Sequence, residues 1–224
     1  SASPISLTIY YLGLIKILFG ELGLKEEILN LGHYRCRALI NDVPGLPIVF
    51  LHGYIFTSDV WRDINVLEYL EKEKIPYLAI DMPYGARSSC SPHTRIPENN
   101  VFVLREAIKG VFGPIRPVIV GASLGGYVAL KYTLEYSVAG LLLIAPVRVF
   151  ENEFIKRYSS FIFPVHVIVG TKDKIVSVEE MKKFVEKLPK AKLKIYEDAS
   201  HPAYLDYPDR FRKDLVELYK EALT

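Results

Sequence analysis

Glutamine is absent from this 224-residue chain, and only two cysteines, two methionines and one tryptophan occur in it. The missing amide, beside abundant Lys, Glu, Ile and Tyr, matches the bias of thermophile proteins, where labile side chains are avoided and ion-pair networks gain value. Two cysteines, Cys36 and Cys90, cannot build a disulfide framework and lack metal-ligand spacing. Both therefore read as free thiols in a reducing compartment, the cytoplasm. An excess of one charge sign is missing too: 28 basic and 26 acidic residues leave a formal charge of +2, mixed along the chain. No basic face able to follow a phosphate backbone results, which argues against nucleic acid as a partner. Repeats, linkers and low-complexity runs are also lacking. Half of the residues are hydrophobic, and the length suits one large core, so a single domain is expected.

The long apolar run that is present lies at the start. Residues 5–24, ISLTIYYLGLIKILFGELGL, are interrupted only by Lys16 and Glu21. This is too polar for a clear membrane-spanning helix. It reads as a separate apolar helical segment, residues 1–24, available for docking on the domain, for homodimer contact or for membrane association. No basic leader or small-residue cleavage site marks it as a signal peptide. The folded domain is then residues 25–224.

Beyond it, strand-like and helix-like blocks alternate. EILNLG and YRCRALI read as paired strands, and PIVFLHG is a short continuous apolar run of the kind buried in a parallel sheet. DVWRDINVLEYLEKE carries a helical stripe of Val60, Trp61, Ile64, Leu67 and Leu70, with Asp59 near its start. The alternation continues through PVIVGAS, LGGYVALKYTLEY, AGLLLIAP and FPVHVIVGTKD to a last helix in PDRFRKDLVELYKEAL. An α/β fold with a mostly parallel central sheet and helices on both faces is predicted.

One stretch of this pattern carries chemistry. VIVGASLGGYVAL places Ser123 between Gly121 and Gly125, with a buried strand ending at Ala122 and a helix starting at Leu124. A Gly-x-Ser-x-Gly pattern alone is weak, but strand, turn and helix around it form the setting in which a strained turn presents a nucleophilic serine. A serine hydroxyl needs a base and a group to orient that base. Asp173 follows the strand ending in GTKD, and His201 follows the next one, in EDASHPAY. Loops at the carboxyl ends of parallel strands gather at one edge of the sheet, so the three residues can converge. Asp198, three residues before His201, is the rival carboxylate, but so close a neighbour cannot face Nδ1 while Nε2 faces the serine.

Taken together, LHGY, DMPYGARS, GASLGG, GTKDKIV and ASHPAYLDYP resemble the α/β-hydrolase superfamily over about four fifths of the chain. The order Ser, Asp, His is that of the superfamily. Small lidless members, such as the α/β-hydrolase-domain-14 group, are most similar in pattern. The resemblance implies Ser123 as nucleophile, His201 as general base and Asp173 as its orienting carboxylate, with no metal and no cofactor. It also implies an oxyanion hole made by the backbone amides of Tyr54 and Leu124. Where relatives have Pro-Gly-x-Gly, this chain has PYGARS, which bears on pocket shape.

Only about sixteen residues, VRVFENEFIKRYSSFI, separate GLLLIAP from the next strand, so no full cap domain fits; one short helix could shade the site, with Arg148, Phe150 and Phe154 near its mouth. An open site favours small acyl groups over long lipids. The function expected is a carboxylesterase-like serine hydrolase acting on a small-molecule acyl substrate through an acyl-enzyme. Acyl transfer, thioester or amide cleavage by the same residues, and ligand binding without catalysis, are the alternatives. His52 is expected to brace the oxyanion loop, His166 to be a satisfied core histidine and Trp61 to be core. His93 and Cys90 are assigned no catalytic role.

Overall fold

The computed structural model describes residues 24–224, so the expectations for the apolar amino-terminal segment fall almost wholly outside the described residues. The sequence builds an eight-stranded sheet: β1 (Lys25–Leu31), β2 (Tyr34–Asn41), β3 (Ile48–Leu51), β4 (Tyr77–Ile80), β5 (Val118–Ala122), β6 (Gly140–Ile144), β7 (Val165–Gly170) and β8 (Ala191–Tyr196). Their order across the sheet is β1-β2-β4-β3-β5-β6-β7-β8. β1 pairs with β2, and β2 with β4, in antiparallel fashion; every later pairing is parallel. The parallel strands β3, β4, β5, β6 and β7 are buried along their whole length, which explains their continuous apolar runs.

Successive side chains of these strands point to opposite faces and feed two cores. Val49 and Leu51 of β3 join one, against α3 (Pro97–Phe112), α4 (Leu124–Thr133) and α6 (Val178–Val185). Ile48 and Phe50 join the other, against α1 (Asp59–Asp63), α2 (Val66–Lys72) and α8 (Pro208–Ala222). Helices therefore cover both faces, as predicted. Two short helices complete the set among the described residues: α5 (Asn152–Ile155) and α7 (Ala203–Asp206).

The single helix expected over DVWRDINVLEYLEKE is two. Asn65 adopts φ 58°, and its N–H donates to the Arg62 carbonyl at 2.8 Å, closing α1 before α2 begins. Asparagine tolerates this left-handed conformation, so the apolar stripe continues across a broken axis. Trp61 is core as expected, fully buried and stacked on Tyr204 with centroids 4.9 Å apart.

The free-thiol reading is overturned. Cys36 of β2 and Cys90, in the loop after β4, form a disulfide, and no free cysteine remains. They are 54 residues apart in sequence, but β2 lies directly beside β4, and the Arg35 N–H donates to the Ser91 carbonyl at 2.8 Å, bringing the two segments into register. Pairing across the sheet edge, invisible in the spacing, is the cause. The argument from cysteine usage to a reducing compartment falls with it.

Between β6 and β7, α5 and a 3-10 turn at Tyr158–Ser160 are the only helical elements. Phe154 and Tyr158 are buried there and pack on Tyr127 and Phe184. This segment lies on the core rather than over the sheet edge as a cap. Among the described residues no helix is long and apolar enough to cross a membrane.

Candidate active site

Ser123 stands at the turn between β5 and α4. Its φ of 53° and ψ of −112° are unfavourable for a residue with a Cβ, and its N–H donates to the Ile144 carbonyl at 2.8 Å, which pins the turn to β6. The flanking glycines permit this geometry. A Cβ on Gly121 would come within 2.6 Å of the Gly125 carbonyl oxygen, and one on Gly125 would strike the Leu51 carbonyl oxygen. Helix α4 therefore packs against the ends of β3 and β5 at a distance that only hydrogen side chains allow.

Asp173 and His201 come from the two strands beyond. The end of β7 is drawn against the loop after β8: the Lys172 N–H donates to the Ala199 carbonyl at 2.9 Å, and the Thr171 N–H to the Tyr196 carbonyl at 3.0 Å. Gly170 makes this possible, since any Cβ there would collide with the Ala199 carbonyl oxygen. The result is a 2.7 Å hydrogen bond from His201 Nδ1 to Asp173 Oδ2. The other Asp173 oxygen accepts the N–H groups of Ile175 at 2.7 Å and Val176 at 3.1 Å. Burial alone would raise the Asp173 carboxyl, but these bonds, led by the one from His201, hold it below its ordinary value of 3.8. It is an anion fixed in place. With Nδ1 donating, His201 Nε2 is left as the free ring nitrogen, buried and without a hydrogen-bond partner.

Ser123 and His201 line one cavity of about 310 Å3, with Phe56, Ile144, Ile175 and Tyr204 as apolar walls. Asp198, the rival carboxylate, is elsewhere: it pairs with Lys172 at 2.9 Å on the surface. Thus Ser123, His201 and Asp173 are brought together and Asp198 is not.

The loop after β3 borders the same cavity. A Cβ on Gly53 would lie 4.0 Å from the Ser123 Cβ, so the peptide leading to Tyr54 passes beside the serine. Among the described residues neither the Tyr54 N–H nor the Leu124 N–H has an acceptor, the latter because it opens a helix. His52 secures this loop, as expected. Its Nδ1–H donates to the Gly53 carbonyl at 2.8 Å and its Nε2 accepts the Met82 N–H at 2.9 Å, which defines one neutral tautomer. Burial lowers its basicity further. The Tyr84 hydroxyl donates to the His52 carbonyl at 2.5 Å.

Other residues are placed less as foreseen. His166 is fully buried, but only half satisfied: Nε2 meets Glu221 at 3.1 Å, while Nδ1 has no partner. His166, Glu217 and Glu221 come close enough to resemble a metal site. Lys192 already bridges both carboxylates, at 3.0 and 2.6 Å, and Lys194 pairs with Glu217 at 2.6 Å, so the two glutamates are matched by lysines of the chain. Phe154 is buried rather than near a site mouth, Phe150 is exposed, and Arg148 lines a second cavity. That cavity, built partly by Arg95 of the loop after β4 and Asn100 of α3, escaped the sequence reading, because no spacing along the chain links the two to Tyr54.

Comparison with known proteins follows the same line. Residues 48–164 match the alpha/beta hydrolase family. The protein ABHD14A of Danio rerio is 27% identical over 177 residues, 78% of this chain, and this match spans 64% of the zebrafish protein, under two thirds of its length. "Putative protein-lysine deacylase ABHD14B" of Homo sapiens is 26% identical over 76% of this chain and 81% of its own. A crystal structure of a "predicted CIB-like hydrolase" from Thermoplasma acidophilum superposes with a TM-score of 0.79 at 26% identity, covering 88% of this chain and 98% of that one. On a match to more than half its length, and with the sheet order and elbow turn described above, the chain belongs to the alpha/beta hydrolase family.

Proposed function

We propose that this protein is a serine hydrolase of small acyl esters, acting through Ser123, His201 and Asp173 and an acyl-enzyme intermediate. The observation that carries the reading is the hydrogen bond from His201 Nδ1 to a buried carboxylate, which leaves Nε2 unpartnered on a residue that lines the same cavity as Ser123. Ser123 Oγ attacks the acyl carbon as His201 Nε2 takes its proton. The tetrahedral oxyanion is met by the free amides of Tyr54 and Leu124, each such donor being worth roughly 3 to 4 kcal/mol. Collapse breaks the bond to the leaving oxygen, which receives the proton from His201. Water then attacks the acyl-serine with His201 again as base, and the acid leaves as Ser123 is restored. Asp173 holds the imidazole in the tautomer that starts the cycle and offsets its charge when protonated.

Two features favour small substrates: the absence of a cap among the described residues, and a cavity of about 310 Å3. A second reading comes from the deacylase name of a relative: the same residues would cleave the amide of an acylated lysine, with the amine as leaving group. A fluorophosphonate probe tests what both share. One covalent adduct on Ser123, absent in Ser123→Ala together with all esterase turnover, is the expected result. Turnover retained in Ser123→Ala would refute the assignment, and p-nitrophenyl ester and acyl-lysine peptide rates then separate the two readings.

A further inference from the structure

A second cavity, of about 320 Å3, adjoins the first. Tyr54 lines both, and Leu124, the residue after Ser123, lines the second. Its other polar groups differ in kind from the apolar walls around Ser123. Arg95 reaches the Tyr54 hydroxyl with Nη2 at 2.9 Å and has no carboxylate partner among the described residues. Arg148 lies over the Tyr127 ring at 4.3 Å and is already engaged by Glu151. Asn100 is 1% exposed, and its Nδ2 donates to the carbonyls of Thr94 and Ile96 at 3.1 and 2.9 Å. Carbonyls only accept, so this amide cannot be turned over, and the buried Oδ1 is left without a partner. The buried acceptor without a donor marks a site for a polar ligand, and the exposed Arg95, over the Tyr54 ring at 5.6 Å, puts a cation without a carboxylate partner on the lining of the same cavity.

We infer that this cavity receives the distal end of the acyl chain and selects acyl groups that end in a carboxylate, held by Arg95. The inference rests on the acyl-hydrolase reading given above. The leaving atom must lie beside His201 to be protonated, and His201 lines only the apolar cavity. The leaving group therefore takes that side, and the acyl chain runs past the Tyr54 and Leu124 amides toward Arg95. Asn100 Oδ1 gives a hydroxyl or amide N–H on such a chain a partner, whereas plain hydrocarbon would leave it bare.

The test compares the mono-4-nitrophenyl ester of adipic acid, with its distal carboxylate free, with the same ester methylated at that carboxylate. Both are assayed on the wild-type protein, Arg95→Gln and Arg95→Lys, with Ser123→Ala as background. The free acid is expected to show a kcat/KM at least about tenfold above its capped analogue, the effect of one charge-assisted contact. Arg95→Gln should bring that ratio close to unity and Arg95→Lys should retain part of it. A wild-type ratio of unity or below overturns the inference while leaving Ser123-dependent hydrolysis standing. A ratio that survives in Arg95→Gln also overturns it, assigning Arg95 to holding Tyr54 alone. No Ser123-dependent cleavage of either ester would overturn the hydrolase reading itself, and this inference with it.

Discussion

Asp173 and Asp198 differ by what their neighbours do. The first is sealed from solvent, accepts two backbone N–H groups and faces an imidazole; the second is exposed and paired with Lys172. Asp173→Asn keeps the shape but presents an amide where an acceptor is required, so His201 loses its tautomer. Esterase kcat is expected to fall roughly 10^3- to 10^4-fold, the scale seen when a triad carboxylate is neutralised. Asp198→Asn should retain wild-type kcat, since asparagine accepts the φ of 60° there and the lost pair is a surface one. Steady-state kinetics of the two variants, with circular dichroism to verify folding, checks the assignment; comparable losses would mean that the carboxylate has been chosen wrongly. Ser123, Asp173 and His201 could be proposed from the sequence because each lies just beyond the carboxyl end of a parallel strand, where such loops gather. Arg95 and Asn100 could not, since one sits in the loop after β4 and the other near the start of α3, and only packing brings both to the cavity that Tyr54 lines.

Among the elements, the loop after β4 does the most positioning with the least regular structure. Asp81, at the end of β4, is buried and accepts the N–H and hydroxyl of Ser58 at 2.8 and 2.7 Å and those of Ser89 at 3.2 and 2.8 Å. Burial would raise its carboxyl, but these four bonds keep it lowered. It ties the start of α1 to the loop that carries Met82, Tyr84 and Arg95. Asp81→Ala strands buried Ser58 without its acceptor and should cost about 3 kcal/mol or more, readable as a lower urea midpoint at unchanged slope. A loss below about 1 kcal/mol would mean that water replaces the carboxylate. The order and type of elements were legible from periodicity. The break at Asn65 was not, because the buried stripe runs on through it, and neither was the Cys36–Cys90 pair, which depends on β2 lying beside β4.

For the molecule as a whole, two fully buried histidines link stability to pH. Burial lowers both His52 and His166 below the ordinary 6.5, against the Gly53 carbonyl for one and Glu221 for the other. As pH falls through about 6.5 the unfolded chain takes up protons that the folded chain refuses, so stability is full above that value and declines below it. Each group contributes a slope of up to about 1.4 kcal/mol per pH unit. Urea unfolding at pH 7.5 and 5.5 should show the loss, and His166→Phe should make the slope shallower; equal stability at both values would contradict it. The disulfide adds a property of connectivity at this scale. Residues 36–90 form a covalent ring that encloses β3, the His52-Gly53-Tyr54 loop, α1, α2 and β4. A single peptide cut within that ring, for instance at the exposed turn near Lys74, opens the circle but does not divide the molecule. The segment presenting the Tyr54 amide thus stays joined to the segment presenting Ser123 until a thiol reductant is supplied.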